Sequence, residues 1–152
     1  NIDPYIVFVI EPTSPFRNRN TLDRGIALFC KYKYKTVIGI SPASSHPMWC
    51  FKVEGETMRP FIKGTGLHTR SQDLPAAFVV NGSFYLVAPK DLRKRQSFYC
   101  ENMVPLVMGA QEESIDIDTE WDWKLTEAIL QNLHLDPSSP NRKLINTKED
   151  NV

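Results

Sequence analysis

Two rhythms of apolar residues alternate along the chain. "YIVFVI" (5–10) is an unbroken, β-branched-rich run of the kind found in strands covered on both faces. The loop "EPTSPFRN" follows, with two prolines and several capping-type side chains. Leu22, Ile26, Phe29 and Cys30 then recur at helical spacing, and Asn20 with Asp23 three residues later supplies a start signal. Gly25 inside this helix costs up to ~1 kcal/mol against Ala, so a close packing contact is expected there. "TVIGIS" (36–41) returns to strand rhythm. Strand, helix and strand with short links predict a parallel crossover unit, hence an α/β sheet.

The pattern loosens after Ser41. Residues 42–79 are rich in Pro, Gly and Ser, with one alternating piece, "WCFKVEG", and read as a small excursion from the sheet. Sheet rhythm resumes in "AFVVNGSFYLVA", where Asn81-Gly82 reads on spacing alone as a hairpin turn. "PKDLRKRQ" gives a basic helical turn and "VPLVMG" a further strand. "SIDID" (114–118) reads as a strand with Ile115 and Ile117 inward and Asp116 and Asp118 together on the other face, ~6–7 Å apart. A last helix carries Trp121, Leu125, Ala128, Ile129 and Leu133 on one face, with Thr119 or Asp118 as its cap. The expected organisation is an α/β core over 1–41 and 80–135, an excursion over 42–79, and a flexible tail over 136–152.

Composition narrows the class. With 152 residues, 41% hydrophobic and 24% charged, the chain fits one soluble domain. Eighteen basic and eighteen acidic residues cancel, which argues against bulk attraction to nucleic acid or an anionic membrane. No apolar run is long enough to span a bilayer. Cys30, Cys50 and Cys100 form no CxxC pair, so buried reduced thiols in a cytoplasmic protein are expected. The chain opens on Asn directly before a strand-like run, which suggests that an upstream portion is missing.

Candidate chemistry gathers in two places. Asp116 and Asp118 on one strand face can hold a hard cation, whereas Glu120 and Asp122 are accounted for by the positive start of the last helix. Residue chemistry alone leaves metal binding and helix-start decoration both open for the aspartate pair. "EPTSPFR" follows the first strand, where open α/β sheets bind ligands; Thr13 and Ser14 offer hydroxyls and Arg17 a partner for carboxylate or phosphate, although residue chemistry alone favours a proline-rich connector with a helix-capping Ser. His46 and His68 lack partners at ligand or triad spacing. GxSxG, P-loop and GxGxxG motifs are missing.

"EPTSPFR", "SQDLPAAFVVNGSFYLV" and "SIDIDTEWDWKLTEAIL", in that order, resemble the acylneuraminate (CMP-sialic acid) cytidylyltransferase family from about Tyr5 to Leu133. The resemblance implies a Rossmann-like nucleotidyltransferase fold, of which this would be the C-terminal part. It also implies transfer of CMP from CTP to a nine-carbon sugar acid with release of pyrophosphate, a requirement for Mg²⁺, and a homodimer formed through residues 42–79. Asp116 and Asp118 match the family's metal-binding, catalytic aspartates, and Asp118, nearer the helix start, is expected to be the more direct ligand. Thr13, Ser14, Asn81 and Tyr85 match the sugar-acid pocket, with Gln72 near it. Phe98 and Tyr99 match aromatics placed against the acyl substituent. Three positions depart from the family: Glu11 stands for Gln, Ser71 for Arg (Arg70 lies one residue earlier), and Val79 for a basic residue. They point away from standard sialic acid towards a relative such as legionaminic or pseudaminic acid. The family's basic, Gly/Ser-rich loop for the CTP phosphates has no match here, which leaves a catalytically impaired sugar-binding or dimerisation fragment as the alternative.

Overall fold

The computed structural model describes residues 6–64 and 66–135; the tail expected at 136–152 lies outside them. In chain order the elements are β1 (Val7–Val9), α1 (Arg19–Lys31), β2 (Val37–Pro42), β3 (Phe51–Glu54), β4 (Thr57–Pro60), β5 (Phe78–Val87), α2 (Pro89–Arg95), β6 (Val104–Val107) and α3 (Glu120–Leu135). Short 3-10 turns separate several of them, including Ser71–Asp73 and Glu112–Ser114. The fold is mixed α/β.

One four-stranded sheet has the order β1-β5-β2-β6, and β3 with β4 form a separate hairpin. β5 runs antiparallel to both β1 and β2, while β2 and β6 are parallel. The expected crossover is therefore corrected: β1 and β2 share a direction, but β5 lies between them and the sheet is mixed. β1 also departs from the doubly covered strand that its apolar run predicted. It pairs with β5 alone among the described residues, and Phe8 is 38% and Ile10 49% exposed.

α1 packs on one face of the sheet, against β2, β5 and β6. It begins two residues before the predicted start signal, because Asn18 is the N-cap and its side chain accepts from the Asn20 N–H. Its buried stripe is Thr21, Gly25 and Phe29, while Ile26 and Cys30 point outward. Gly25 explains that rotation. A Cβ there would lie 2.2 Å from Cζ of Phe84, so the helix approaches β5 more closely than any other residue permits. Phe29, Val37, Phe84, Leu86, Ala88, Val104, Leu106 and Met108 make the core beneath it. Arg24 reaches the edge strand and donates to the Val107 carbonyl at 2.9 Å.

Asn81-Gly82 does not form a hairpin turn. Both residues lie inside β5, where pairing to β2 slips between Ile38↔Tyr85 and Ile40↔Val80. The irregularity uses the turn-forming freedom of Gly82, at φ 73°, to bend one strand rather than reverse it. The thiols also differ from expectation: Cys30 and Cys50 are exposed and Cys100 is half-buried, all three unpaired. No helix among the described residues is long and apolar enough to cross a membrane.

Candidate functional site

The ends of β1 and β2 and the bend in β5 bring the first candidates together. Glu11 follows β1, and the Ser14 N–H donates to its carbonyl at 3.2 Å, closing the turn that opens the Pro12–Arg17 loop. Arg17 folds back and donates through Nη2 to the same carbonyl. Burial lowers the Arg17 pKa, against the opposing pull of the Glu11 charge. Arg17 thus braces its own loop.

"SIDID" is not a strand. After the Glu112–Ser114 turn it crosses the loop as an extended single segment, held where the Ile117 N–H donates to the Thr13 carbonyl at 2.9 Å. The two aspartates consequently part company. Asp116 turns inward over Gly82: a Cβ on that glycine would lie 3.3 Å from Asp116 Oδ2 and 3.5 Å from Glu11 Oε2. Asp118 is exposed at the start of α3. The structure therefore sets Asp116 beside Glu11, a neighbour that strand spacing could not reveal.

Two carboxylates facing one small residue repel each other unless something positive lies between them. Asp116 Oδ1 is buried and has no hydrogen-bond partner. Hard oxygen donors of this kind suit Mg²⁺, which commonly takes one or two carboxylates and completes its shell with water and phosphate oxygens. No group of three or more His, Cys, Asp or Glu gathers at metal-binding distance among the described residues. A cation here would rest on the pair.

Tyr85 stands next to the pair. Burial, then a hydrogen bond with Tyr99 and the nearby charges of Glu11 and Asp116, raise its pKa above the ordinary tyrosine range. Its hydroxyl therefore keeps its proton further into the alkaline range than an ordinary tyrosine does. The Phe98 ring lies 5.1 Å from that of Tyr85, so Tyr85, Phe98 and Tyr99 form one aromatic group.

Other predicted residues occupy different settings. Asn81 is 6% exposed and its amide is engaged inside the protein: Nδ2 donates to Ser41 Oγ at 2.8 Å, and Oδ1 accepts from Ser83 Oγ at 2.8 Å. It fixes the bend in β5. Ser14 is buried with an unpartnered hydroxyl, Thr13 is half-buried, and Gln72 is exposed on the Ser71–Asp73 turn within the excursion. A cleft of ≈ 720 Å³ opens beside Ser114 and Ile115; Ser41, Met108, Leu125 and Ile129 also line it.

The aspartate segment ends in the expected cap. Asp122 Oδ2 accepts from the Thr119 N–H at 2.8 Å and from Thr119 Oγ at 2.6 Å, and the Asp122 N–H donates back to Thr119 Oγ at 3.2 Å. This reciprocal box identifies Thr119 as the cap and lowers the Asp122 pKa, chiefly through the Thr119 hydroxyl. Sequence reasoning missed two contributors, the buried Glu113 and Gly82. Glu113 belongs to a run of polar residues, and nothing in that run marked it for burial. Gly82 did carry a signal, as half of an Asn-Gly pair, but the signal suggested a turn.

No protein-family model matches the chain. It is 35% identical over 127 residues to the CMP-N,N'-diacetyllegionaminic acid synthase of Legionella pneumophila, an alignment covering 82% of this chain and 53% of that protein. It is 21% identical over 126 residues to post-translational flagellin modification protein B of Campylobacter coli, covering 83% of this chain and 53% of that one. The chain thus spans about half the length of these relatives. With the ordered blocks described above, these likenesses fit the acylneuraminate (CMP-sialic acid) cytidylyltransferase family.

Proposed function

We propose that this chain is the sugar-acid- and metal-binding part of a cytidylyltransferase that joins a nonulosonic acid to CMP and releases pyrophosphate from CTP. The observation that carries this reading is the convergence of Glu11 and Asp116 over Gly82, beside the protonated Tyr85. It lies where α/β sheets collect ligands. In this reading the four-stranded sheet is the C-terminal part of a Rossmann-like nucleotidyltransferase sheet.

The chemistry asks for positioning and charge neutralisation rather than a covalent intermediate. The sugar's anomeric hydroxyl attacks the α-phosphorus in line, and pyrophosphate leaves. Asp116 and Glu11 would hold a cation here, while Asp118, the more direct ligand expected from the sequence, stands exposed at the start of α3. A Mg²⁺ ion held by these carboxylates would supply positive charge for the phosphate oxygens and would acidify the sugar hydroxyl. Tyr85 donates a hydrogen bond to the sugar acid, and Phe98 with Tyr99 packs against an acyl substituent. The cleft beside Ile115, with Met108, Leu125 and Ile129, offers room for a second acyl group. That suits a diacylated sugar such as the one named for the Legionella relative. Thr13, Ser14 and Gln72 complete the pocket by family position.

A second reading has its own support. The excursion over 42–79 carries Trp49, Phe51, Val53, Met58, Phe61 and Ile62 at its surface, all at least 38% exposed. Apolar surface on that scale marks an interaction site, and we assign it to a homodimer. A chain that dimerised and bound sugar acid without transferring nucleotide would fit the same surface and the Glu11 departure. For both forms we keep the cytoplasmic location expected from the sequence. The two readings separate when the intact protein is offered CTP, Mg²⁺ and a panel of nonulosonic acids while pyrophosphate is measured. Release with a diacylated nonulosonic acid supports the transferase. Sugar binding without release supports the fragment.

A further inference from the structure

Glu113 is an acid that the proposed chemistry does not use, yet it is only 6% exposed. Both of its carboxylate oxygens are engaged. The Asn18 N–H donates to Oε1 at 3.1 Å, and Thr21 Oγ donates to Oε2 at 3.1 Å. Asn18 is the N-cap of α1 and Thr21 lies in its first turn. That first turn contains no acidic residue of its own. Glu113 therefore supplies, from 95 residues further along the chain, the negative charge that a helix start attracts.

The consequence lies three residues on. Asp116 sits between two fixed points: Glu113, tied to the start of α1, and Ile117, whose N–H is tied to the Thr13 carbonyl. Thr13 and Asn18 bracket the loop that leads from Glu11 to the helix. The acidic segment is thereby clamped to both ends of the loop that carries the other carboxylate. The Glu113 carboxylate thus adds two side-chain ties to the one backbone hydrogen bond that joins this segment to the loop.

We infer that Glu113 is a positioning residue, which holds Asp116 opposite Glu11 by docking the acidic segment onto the start of α1. The inference rests on the reading of Glu11 and Asp116 as cation ligands. Glu113 touches no reacting group and acts through Asp116. Its carboxylate is too deeply committed to two donors to serve as a ligand itself.

The test compares Glu113→Ala and Glu113→Gln in the intact protein, with Mn²⁺ as the probe ion and backbone amide exchange as the second readout. Supporting polar groups around metal ligands commonly change affinity about 10–100-fold when removed. Glu113→Ala is expected to weaken Mn²⁺ binding at least about tenfold and to speed exchange at Ile117, with the β5 amides Phe84 to Val87 unchanged. Glu113→Gln keeps the shape and one acceptor, so it is expected to recover part of both. Unaltered Mn²⁺ affinity and Ile117 exchange in Glu113→Ala overturn the inference. If Glu113→Ala loses protection throughout β5, Glu113→Gln decides: parental values in both readouts overturn the inference, and intermediate values support it. A parent protein that binds no Mn²⁺ overturns the reading of the carboxylate pair and this inference with it. Binding that is insensitive to Glu113 overturns the inference alone.

Discussion

The two halves of β5 contrast within one strand. From Asn81 to Val87 every side chain except the half-buried Gly82 is buried, and Phe84 and Leu86 form the centre of the core. From Phe78 to Val80, the residues are equally apolar, yet they are 46%, 53% and 36% exposed. The first half lies under α1 and between β1 and β2. The second still pairs with β2, at Ile40, Ser41 and Pro42, but has no β1 partner among the described residues. It borders the excursion, where the β3–β4 hairpin presents Phe51, Val53 and Met58 to solvent as well. Identical residue chemistry thus serves two ends. One half is completed by its own chain, and the other offers apolar surface for which we propose a second copy as the cover.

Substitutions should separate the halves clearly. Phe84→Ala removes the ring on which α1 rests and is expected to cost about 3–5 kcal/mol in denaturant unfolding. A loss under 1 kcal/mol would mean that α1 and β5 are not the joint core. Gly25→Ala brings a methyl group against the same ring and is expected to cost about 1–3 kcal/mol through overpacking. Stabilisation by this change would show the helix free to move away. On the other half, Val53→Lys should stay within about 0.5 kcal/mol in monomer stability, as exposed substitutions usually do. Sedimentation should nevertheless show the dimer dissociating; an unchanged oligomeric state would remove the excursion from the interface.

The smallest effect concerns α3. The Asp122 pKa is lowered in the folded chain, so its contribution is present above the ordinary carboxylate range and fades as pH falls through the lowered folded value. Thr119→Ala removes the hydroxyl chiefly responsible for that shift. Helical signal from α3 should then become less sensitive to acid than in the parent. Equal sensitivity in both would show that the capping box contributes nothing measurable.

These contrasts also explain what the sequence could convey. Helix and strand rhythms located α1, β2, β5, β6 and α3, because burial on one face imposes a period that survives in a single chain. The Gly25 contact was legible because glycine inside a helix calls for a steric reason. Strand order was not, since pairing across the sheet leaves no local mark: the antiparallel insertion of β5 between β1 and β2 depends on the long route through the excursion. The site divides similarly. The segments carrying Glu11, Asn81 and Asp116 could be found from ordered blocks, whereas the pairing of Asp116 with Glu11 could not. That pairing arises from Glu113 and Ile117 folding an extended segment over the loop. Asn81 shows the converse, as a family position whose amide is consumed by Ser41 and Ser83.

The central claim is that the carboxylate pair over Gly82 is where the chemistry takes place. Its most direct test is sugar-dependent release of pyrophosphate from CTP by the intact protein and by its Asp116→Asn variant, at saturating Mg²⁺. The account predicts steady release by the parent and a loss of at least about a hundredfold in the variant, as for removal of a group that stabilises transition-state charge. Release by Asp116→Asn at the parental rate would contradict it.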